Sequence, residues 1–274
     1  MSAVSTFRAL HESGCFILPN PWDAGSAIYL ERLGFKALAT TSAGVAFSRG
    51  APDTVSAVPM DAMLAHIRDV VAATALPVNA DFLAGYADEP EGVAGNVALC
   101  IATGAAGLSI EDGTGDPAAP LYDAQRAAAR LAAARGAIDA SGIPVVLTGR
   151  CEAWLVGDPH PFRTAIERLP AYSAAGADCL YAPGVSSPDE IAAIVTAVAP
   201  KPVNVLMSSP SRTLNAARLA DLGVRRISVG SALSRVAWGA FMRAAQSLAA
   251  TGSFDAFAGA ASFDELNEAF ARRS

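Results

Sequence analysis

Asp53, Asp81, Glu111 and Arg150 are the residues whose types and spacing suggest chemistry. Asp81 ends a short apolar run that begins at Pro77, and the loop Phe82 to Tyr86, with Gly85 inside it, follows at once. Glu111 and Asp112 end a similar run ahead of Gly113-Thr114-Gly115, and Arg150 ends a third, followed by Cys151 and Glu152. Asp53 closes the stretch Gly50-Ala51-Pro52 after a fourth run, and Asn204 lies inside a fifth. Taken singly, each of these reads as a salt bridge or a helix cap. Placed together at the carboxyl ends of parallel strands, where such folds bind ligands, they would meet at one mouth. Crowded carboxylates are costly unless a cation sits among them. Oxygen donors with no histidine nearby in sequence suit Mg2+, with Mn2+ as the substitute, better than zinc. Arg150 would then hold an anionic substrate through a forked hydrogen bond. Glu152 shares its face of the extended backbone and would orient it. Thr41 and Ser42, in the run Thr40 to Gly44, read either as a plain turn or as a nest for a carboxylate.

The elements that must position these residues can be read from the same pattern. Short apolar runs cover 15–19, 37–41, 77–81, 107–111, 144–149, 179–182, 202–206 and 226–229. Stretches with helical spacing lie between them, among them 61–75, 92–102, 122–140 and 187–198. Strand alternating with helix implies right-handed crossovers and a parallel sheet, and eight such units imply a closed (β/α)8 TIM barrel. Gly34, Gly104, Gly142, Gly176 and Gly223 fall just before strands, as helix C-cap glycines do. Asn20-Pro21-Trp22-Asp23 reads as a helix start with Asn20 as its N-cap. The barrel closes near Gly230, and a tail of further helices, 232–249 and 263–271, exceeds what it needs. The whole of 1–274 reads as one barrel domain with a helical tail over about 232–274.

Composition narrows the function classes. A net charge of -6 and the lack of a basic run argue against nucleic acid as a partner. No apolar run is long enough to span a bilayer, and the first residues lack the pattern of a secretory signal. Cys15, Cys100, Cys151 and Cys179 have no Cys-x-x-Cys spacing and read as reduced thiols of a cytoplasmic protein. Cys151, beside Arg150, should point into packing. His11 and His66 read as helix-surface residues, His160 as a neighbour of the mouth, and Arg225-Arg226 as structural residues at the far end of the barrel. Trp22, Phe47, Phe82, Tyr86 and Tyr181 are the aromatic candidates for its walls.

With these motifs placed, the chain resembles the isocitrate lyase/phosphoenolpyruvate mutase superfamily from about residue 20 to residue 237. The resemblance rests on Thr41-Ser42, Gly50-x-Pro52-Asp53, Asp81-x-x-x-Gly85-Tyr86, Glu111-Asp112 and Arg150-x-Glu152-Ala153, in order on successive strands. It implies a modified barrel whose last helices are swapped between subunits of a dimer or tetramer. It also implies Mg2+ and a small 2-oxo acid reacting through its enolate. Thr41 and Ser42 would bind the substrate carboxylate. Asp81 would be the direct metal ligand, and Asp53 and Glu111 would act through metal-bound water. Arg150 would bind the 2-oxo oxygen or carboxylate, while Asn204 and Tyr86 complete the substrate site.

The departures from that pattern steer the function. Leu83 stands where the superfamily places a second acid, two residues after Asp81. The stretch Gly113 to Pro120 carries neither the Cys nor the His of the lyase loop, and the Pro-Lys and Asn-Ser signature of the mutases is absent. These absences disfavour isocitrate cleavage and phosphonate chemistry. Decarboxylation of an oxaloacetate-like acid needs only an electron sink. The alternatives are a 2-oxo dicarboxylate binder, 2-oxoglutarate for instance, that does not turn its ligand over, and a carbon–carbon lyase for a malate-type substrate or a phosphonomutase-like enzyme.

Overall fold

A computed structural model describes residues 1–271, so the last three residues of the expected tail lie outside the described residues. Eight parallel strands form one sheet in the order β1-β8-β7-β6-β5-β4-β3-β2. They are β1 (Phe16–Leu18), β2 (Leu38–Ala39), β3 (Val78–Asp81), β4 (Gly107–Glu111), β5 (Val146–Arg150), β6 (Cys179–Tyr181), β7 (Val203–Leu206) and β8 (Arg226–Ser228). β1 and β2 share no ladder, but Ala39 N–H donates to the Pro19 carbonyl at 3.0 Å and nearly closes the ring. The result is a (β/α)8 barrel, as the alternation predicts.

The helices are α1 (Ala3–Leu10), α2 (Ala24–Arg32), α3 (Ser42–Ser48), α4 (Met60–Ala73), α5 (Pro90–Ile101), α6 (Ala124–Ser141), α7 (Pro161–Ala174), α8 (Pro188–Val198), α9 (Ala216–Asp221), α10 (Ala232–Thr251) and α11 (Phe263–Phe270). Two sequence expectations change here. Residues 42–48, read as loop, form α3, with the Thr41 hydroxyl accepting from Gly44 N–H at 3.2 Å as its cap. Asn20 is not a cap. Asp23 caps α2, and the buried Asn20 amide ties three strand ends together. It donates to the Thr40 carbonyl at 2.9 Å and accepts from Val229 and Gly230 N–H at 3.0 and 2.9 Å.

Side chains alternate across each strand. Ala80, Leu108, Ile110 and Leu147 face the helices and join the main core. Their neighbours face the barrel axis and fall into layers. At the amino-terminal end Phe7 of α1 plugs the barrel against Leu18, Ala39, Ala106, Val146 and Cys179. Gly107 makes room for that plug, since a Cβ there would lie 2.7 Å from the Phe7 ring and 2.8 Å from Asn79 Oδ1. Above the plug the interior turns polar. Buried Arg226 donates from Nε to Asn204 Oδ1 and from Nη2 to Thr148 Oγ1, each at 2.9 Å.

His11 is not a helix-surface residue: it caps α1 beneath Arg226, whose Nη1 lies 3.2 Å from its Nε2. Burial, and then the Arg226 charge, lowers its pKa from 6.5 to about 3. The unfolded chain takes up a proton below 6.5 that the folded chain refuses until near 3, so stability falls as pH falls through that window. The penalty reaches on the order of a few kcal/mol at its acid end. His11→Gln should therefore flatten the decline of Tm with falling pH over this range, read by calorimetric scans of both proteins.

Beyond β8 the tail continues through α10, a short 3-10 turn (Asp255–Gly259) and α11. α11 lies on α2 of its own chain, where Arg32 Nη1 donates to the Glu268 carbonyl at 2.8 Å. Among the described residues no helix is long and apolar enough to cross a membrane. Cys100, Cys151 and Cys179 are buried and Cys15 is half-buried, all four as free thiols.

Candidate active site

The strand ends converge on a cavity of about 410 Å³ at the carboxyl-terminal mouth. Its wall includes Thr41, Ser42, Asp53, Asp81, Arg150 and Asn204, so the structure brings together six of the eight predicted site residues. Glu111 sits buried behind Arg150, off the wall. Tyr86 is turned away: its ring packs on Phe82 at 5.2 Å, and its hydroxyl is buried without a partner. Phe47 and Tyr181 are the predicted aromatics that reach the wall. His160 stands exposed at the N-cap of α7, away from the cavity lining. Cys151 is packed away from solvent, and burial first, then the Asp112 charge, raises its pKa beyond the range where a thiolate forms.

Asp81 is the best-held group. Its Oδ2 accepts from both the N–H and the hydroxyl of Ser42, at 2.9 and 2.8 Å, and its Oδ1 accepts from Arg150 Nη1 at 3.2 Å. Thr40 Oγ1 accepts from the Asp81 N–H at 2.9 Å. The hydroxyl-rich turn does bind a carboxylate, but the carboxylate is that of Asp81. Leu83 explains the shape of the loop that follows. It adopts φ 50° and is nearly buried, and its carbonyl accepts from Glu111 N–H at 3.1 Å.

Arg150 is likewise committed. Its Nε donates to Glu152 Oε1 at 2.5 Å and its Nη2 to Glu152 Oε2 at 3.1 Å, so the fork expected for a substrate closes on Glu152. Glu152 is oriented in turn by Asp112, whose Oδ1 accepts from its N–H at 2.7 Å. Tyr172 and Arg168 hold the other Asp112 oxygen at 2.5 and 2.9 Å. Arg150 Nη1 lies 3.0 Å from Glu111 Oε2 but outside hydrogen-bonding geometry, which leaves that oxygen buried and without a donor.

One guanidinium thus serves Asp81, Glu111 and Glu152. Burial raises the Glu111 pKa well above its ordinary value; Arg150 opposes the rise, and Glu152 and Asp81 add to it. Burial likewise raises Glu152, against Arg150. Burial also works against the charge of Arg150, but the three carboxylates outweigh it and hold the guanidinium protonated. Asp53, exposed at the rim, is raised by partial desolvation and then by Asp81, with Arg150 opposing.

The cluster around Arg150 therefore sets three carboxylates against one guanidinium and leaves one buried carboxylate oxygen without a donor. Both features fit a hard dication. Among the described residues no three acidic, His or Cys side chains converge closely enough to cage an ion. The donor set suits a largely hydrated hard dication rather than an all-protein cage.

The family model for phosphoenolpyruvate phosphomutase matches residues 7–249. The chain belongs to that family. Uncharacterized protein Rv1998c of Mycobacterium tuberculosis strain H37Rv is 34% identical over 82% of this chain and 82% of its own length. The oxaloacetate decarboxylase of Rhodopseudomonas palustris strain BisB5 is 31% identical over 75% of this chain and 70% of its own. A crystal structure from Burkholderia cenocepacia J2315, provisionally described as a lyase/mutase, superposes with a TM-score of 0.93 at 49% identity, covering 98% of this chain and 96% of that one. Membership in a family of lyases and mutases makes the chain an enzyme by kinship, and the superfamily inferred from the motifs is the right one.

Sequence reasoning missed part of the wall. Arg226, assigned to the far end, reaches up to line the cavity floor beside Asn79 and Ser109. Ser208, Ser209, Ser231 and Arg235 line the side built by the loops after β7 and β8. The Ser-Ser-Pro-Ser run at 208–211 was the available signal for that side, since it directly follows a strand.

Proposed function

We propose that the protein is a magnesium-dependent carbon–carbon lyase acting on a 2-oxo acid through its enolate, and that an oxaloacetate-like 3-carboxy-2-oxo acid is decarboxylated. The observation that carries this reading is the Asp81–Arg150–Glu111 cluster at a cavity whose lining, among the described residues, holds no His, Lys or Cys. Such a wall offers electrostatic stabilisation but little to abstract a proton with. Decarboxylation asks for no base at the breaking bond. The kinship with oxaloacetate decarboxylases points the same way.

Asp81 would hold Mg2+ directly, with Asp53 and Glu111 supporting it from the rim and from behind Arg150. When bound, Mg2+ would supply Lewis-acid charge to a 2-oxo acid in the cavity. Thr41 and Ser42 border the carboxylate end, and Asn204 lies across the cavity. As the C3–carboxylate bond breaks, its electron pair becomes the C2–C3 double bond of the enolate and carbon dioxide departs. Arg150, fixed by Glu152, places its charge where the enolate oxygen develops and needs no reorganisation to do so. Water returns the proton to C3.

With Mg2+ and oxaloacetate the protein should release pyruvate faster than Mg2+ alone at the same concentration. Stabilisation by 2-oxoglutarate with no pyruvate from oxaloacetate would instead identify a non-catalytic binder. Cleavage confined to malate-type acids would identify the other lyase reading.

We also propose that the protein is a homo-oligomer, a dimer or tetramer, built through its tail. The support is α10, whose only buried residue is Ser234 and which leaves Val236, Trp238, Phe241 and Met242 exposed, followed by exposed Phe254, Phe257 and Phe263. So many large apolar side chains left exposed along one segment mark association. Sedimentation at micromolar concentration should give a species larger than one chain, and a monomer would overturn the proposal.

A further inference from the structure

The loop from β3 to α5 leaves Asp81 along an unusual path. Leu83 and Tyr86, neither of them glycine, adopt φ of 50° and 55°. Residues with a side chain rarely take this left-handed backbone, which persists only where the surroundings over-determine it. Here the surroundings are the donors to the loop's carbonyls. Gly85 N–H donates to the Phe82 carbonyl at 3.0 Å, and Glu111 N–H to the Leu83 carbonyl at 3.1 Å. Arg130 Nη2 donates to the Ala84 carbonyl. Asn96 Nδ2 donates to the carbonyls of Gly85 and Tyr86 at 2.9 and 3.2 Å. Arg130 Nη1 donates to those of Ala87 and Asp88, each at 2.6 Å. Every carbonyl from Phe82 to Asp88 thus has a donor. From Ala84 onward the donors are two side chains of neighbouring helices, Asn96 of α5 and Arg130 of α6.

Arg130 is fully buried, and its guanidinium stacks 4.0 Å from the centre of the Tyr122 ring. The Tyr122 hydroxyl donates in turn to the Asp88 carboxylate, which ties down the far end of the loop. A charge is taken out of water only where it is well compensated. The donors of Arg130 meet main-chain carbonyls rather than a carboxylate, so the guanidinium gathers the loop around itself as a bound cation would. Neither Arg130 nor Asn96 lines the cavity. Their reach into it runs through the backbone. The ladder between β3 and β4 ends at the pair Asp81–Ser109, short of Glu111. The bond from Glu111 N–H to the Leu83 carbonyl carries the contact onward and fixes Glu111 relative to Asp81. Arg150 faces both of these carboxylates.

We propose that Arg130 and Asn96 are positioning residues. They clamp the carbonyls of the β3–α5 loop, hold its left-handed turns in place and so set the spacing at which Asp81 and Glu111 take up a hard dication. This assignment rests on the reading of Asp81 and Glu111 as the metal-binding acids and adds the residues that fix their geometry. Without the clamp, Leu83 and Tyr86 would relax toward ordinary backbone angles, and the Leu83 carbonyl would leave Glu111 N–H. Both acids would remain, but at a variable distance. Groups that orient metal ligands without touching the metal cost about 10–100-fold in metal affinity when they are removed.

The test uses the full chain and its Arg130→Met, Arg130→Lys and Asn96→Ala variants. Amide hydrogen exchange without metal reads the loop and Glu111 N–H, and calorimetry reads Mg2+ affinity. In Arg130→Met, exchange over 84–88 and at Glu111 should quicken about tenfold or more, while the strands of the barrel keep their protection. Its Mg2+ affinity should fall by about tenfold or more. Arg130→Lys keeps the charge but cannot fork onto separate carbonyls, so it should recover part of both losses. Asn96→Ala, at a half-buried position, should move both readouts in the same direction and carries the test if Arg130→Met does not fold. Folded variants that bind Mg2+ as the parent does, or that leave Glu111 N–H protected, overturn the proposal, and Arg130 then serves stability alone. If the parent itself takes up no Mg2+, the reading of the acids falls, and the positioning role falls with it.

Discussion

Asp81→Asn should abolish Mg2+ binding and 2-oxo acid binding together. Asp81 is the carboxylate whose position is fixed from three directions, by the Ser42 N–H, the Ser42 hydroxyl and Arg150. Leu83, at the place of a second motif acid, has no oxygen to offer. The amide keeps the shape of the group but removes the charge that holds a dication. It also sets an NH2 against a donor, either Arg150 Nη1 or the Ser42 pair, at a cost of about 1–3 kcal/mol. Calorimetry with Mg2+, and then with Mg2+ and oxaloacetate, reads the loss, and a thermal scan separates it from unfolding. If the folded variant binds metal and acid as the parent does, Asp81 serves only to anchor Ser42 and α3. The site would then have to be rebuilt around Asp53 and Glu111.

Much of this arrangement was legible in the sequence because it depends on strand ends. A strand that stops on a charged residue places that residue at the mouth, and period-two alternation decides which side of the wall it faces. Asp81 and Arg150 were legible for that reason. So was the orienting role of Glu152, two residues after Arg150. Contacts made by the same residues were not legible when they depended on a neighbouring strand. The sequence places Ser42 near the substrate, yet its N–H and hydroxyl are spent on Asp81, 39 residues away. The small residues of 42–48 concealed α3, whose Gly44 has no room for a Cβ: one would meet Thr41 Cγ2 at 2.6 Å. Tyr86 follows the loop glycine on paper, but its φ of 55° carries the ring onto Phe82 and off the cavity wall. Arg235 belongs to no strand end. It reaches the mouth because Gly230 turns the chain directly from β8 into α10, a geometry that residue type alone does not encode.

Arg150→Met should destabilise the protein more than any other single change at the site, and should do so in a pH-dependent and metal-dependent way. The guanidinium lies within ion-pair distance of Asp81, Glu111 and Glu152 in a region that is largely closed to solvent. Removing one partner of a buried ion pair costs about 3–5 kcal/mol, because the remaining charge is left uncompensated. For a chain of this size that corresponds to roughly 6–20 °C in Tm. The orphaned acids would answer by taking up protons. Burial already raises Glu111 and Glu152, and Arg150 is the opposing influence on both, so its removal raises them further. An acid whose folded pKa lies above its unfolded value keeps the folded state stable below the unfolded value and withdraws that stability as pH rises through the folded one. Arg150→Met should therefore lose Tm from mildly acidic toward alkaline pH more steeply than the parent. Mg2+ should restore part of the loss at the alkaline end, since a dication replaces the missing charge. Arg150→Lys keeps a charge but cannot fork onto Glu152, so it should lose less stability, retain metal binding and weaken 2-oxo acid binding. Thermal scans across pH, with and without Mg2+, read the parent and both variants. A pH-independent loss in Arg150→Met would mean that the three carboxylates do not depend on Arg150 for their charge, and the electrostatic account of the site would fail.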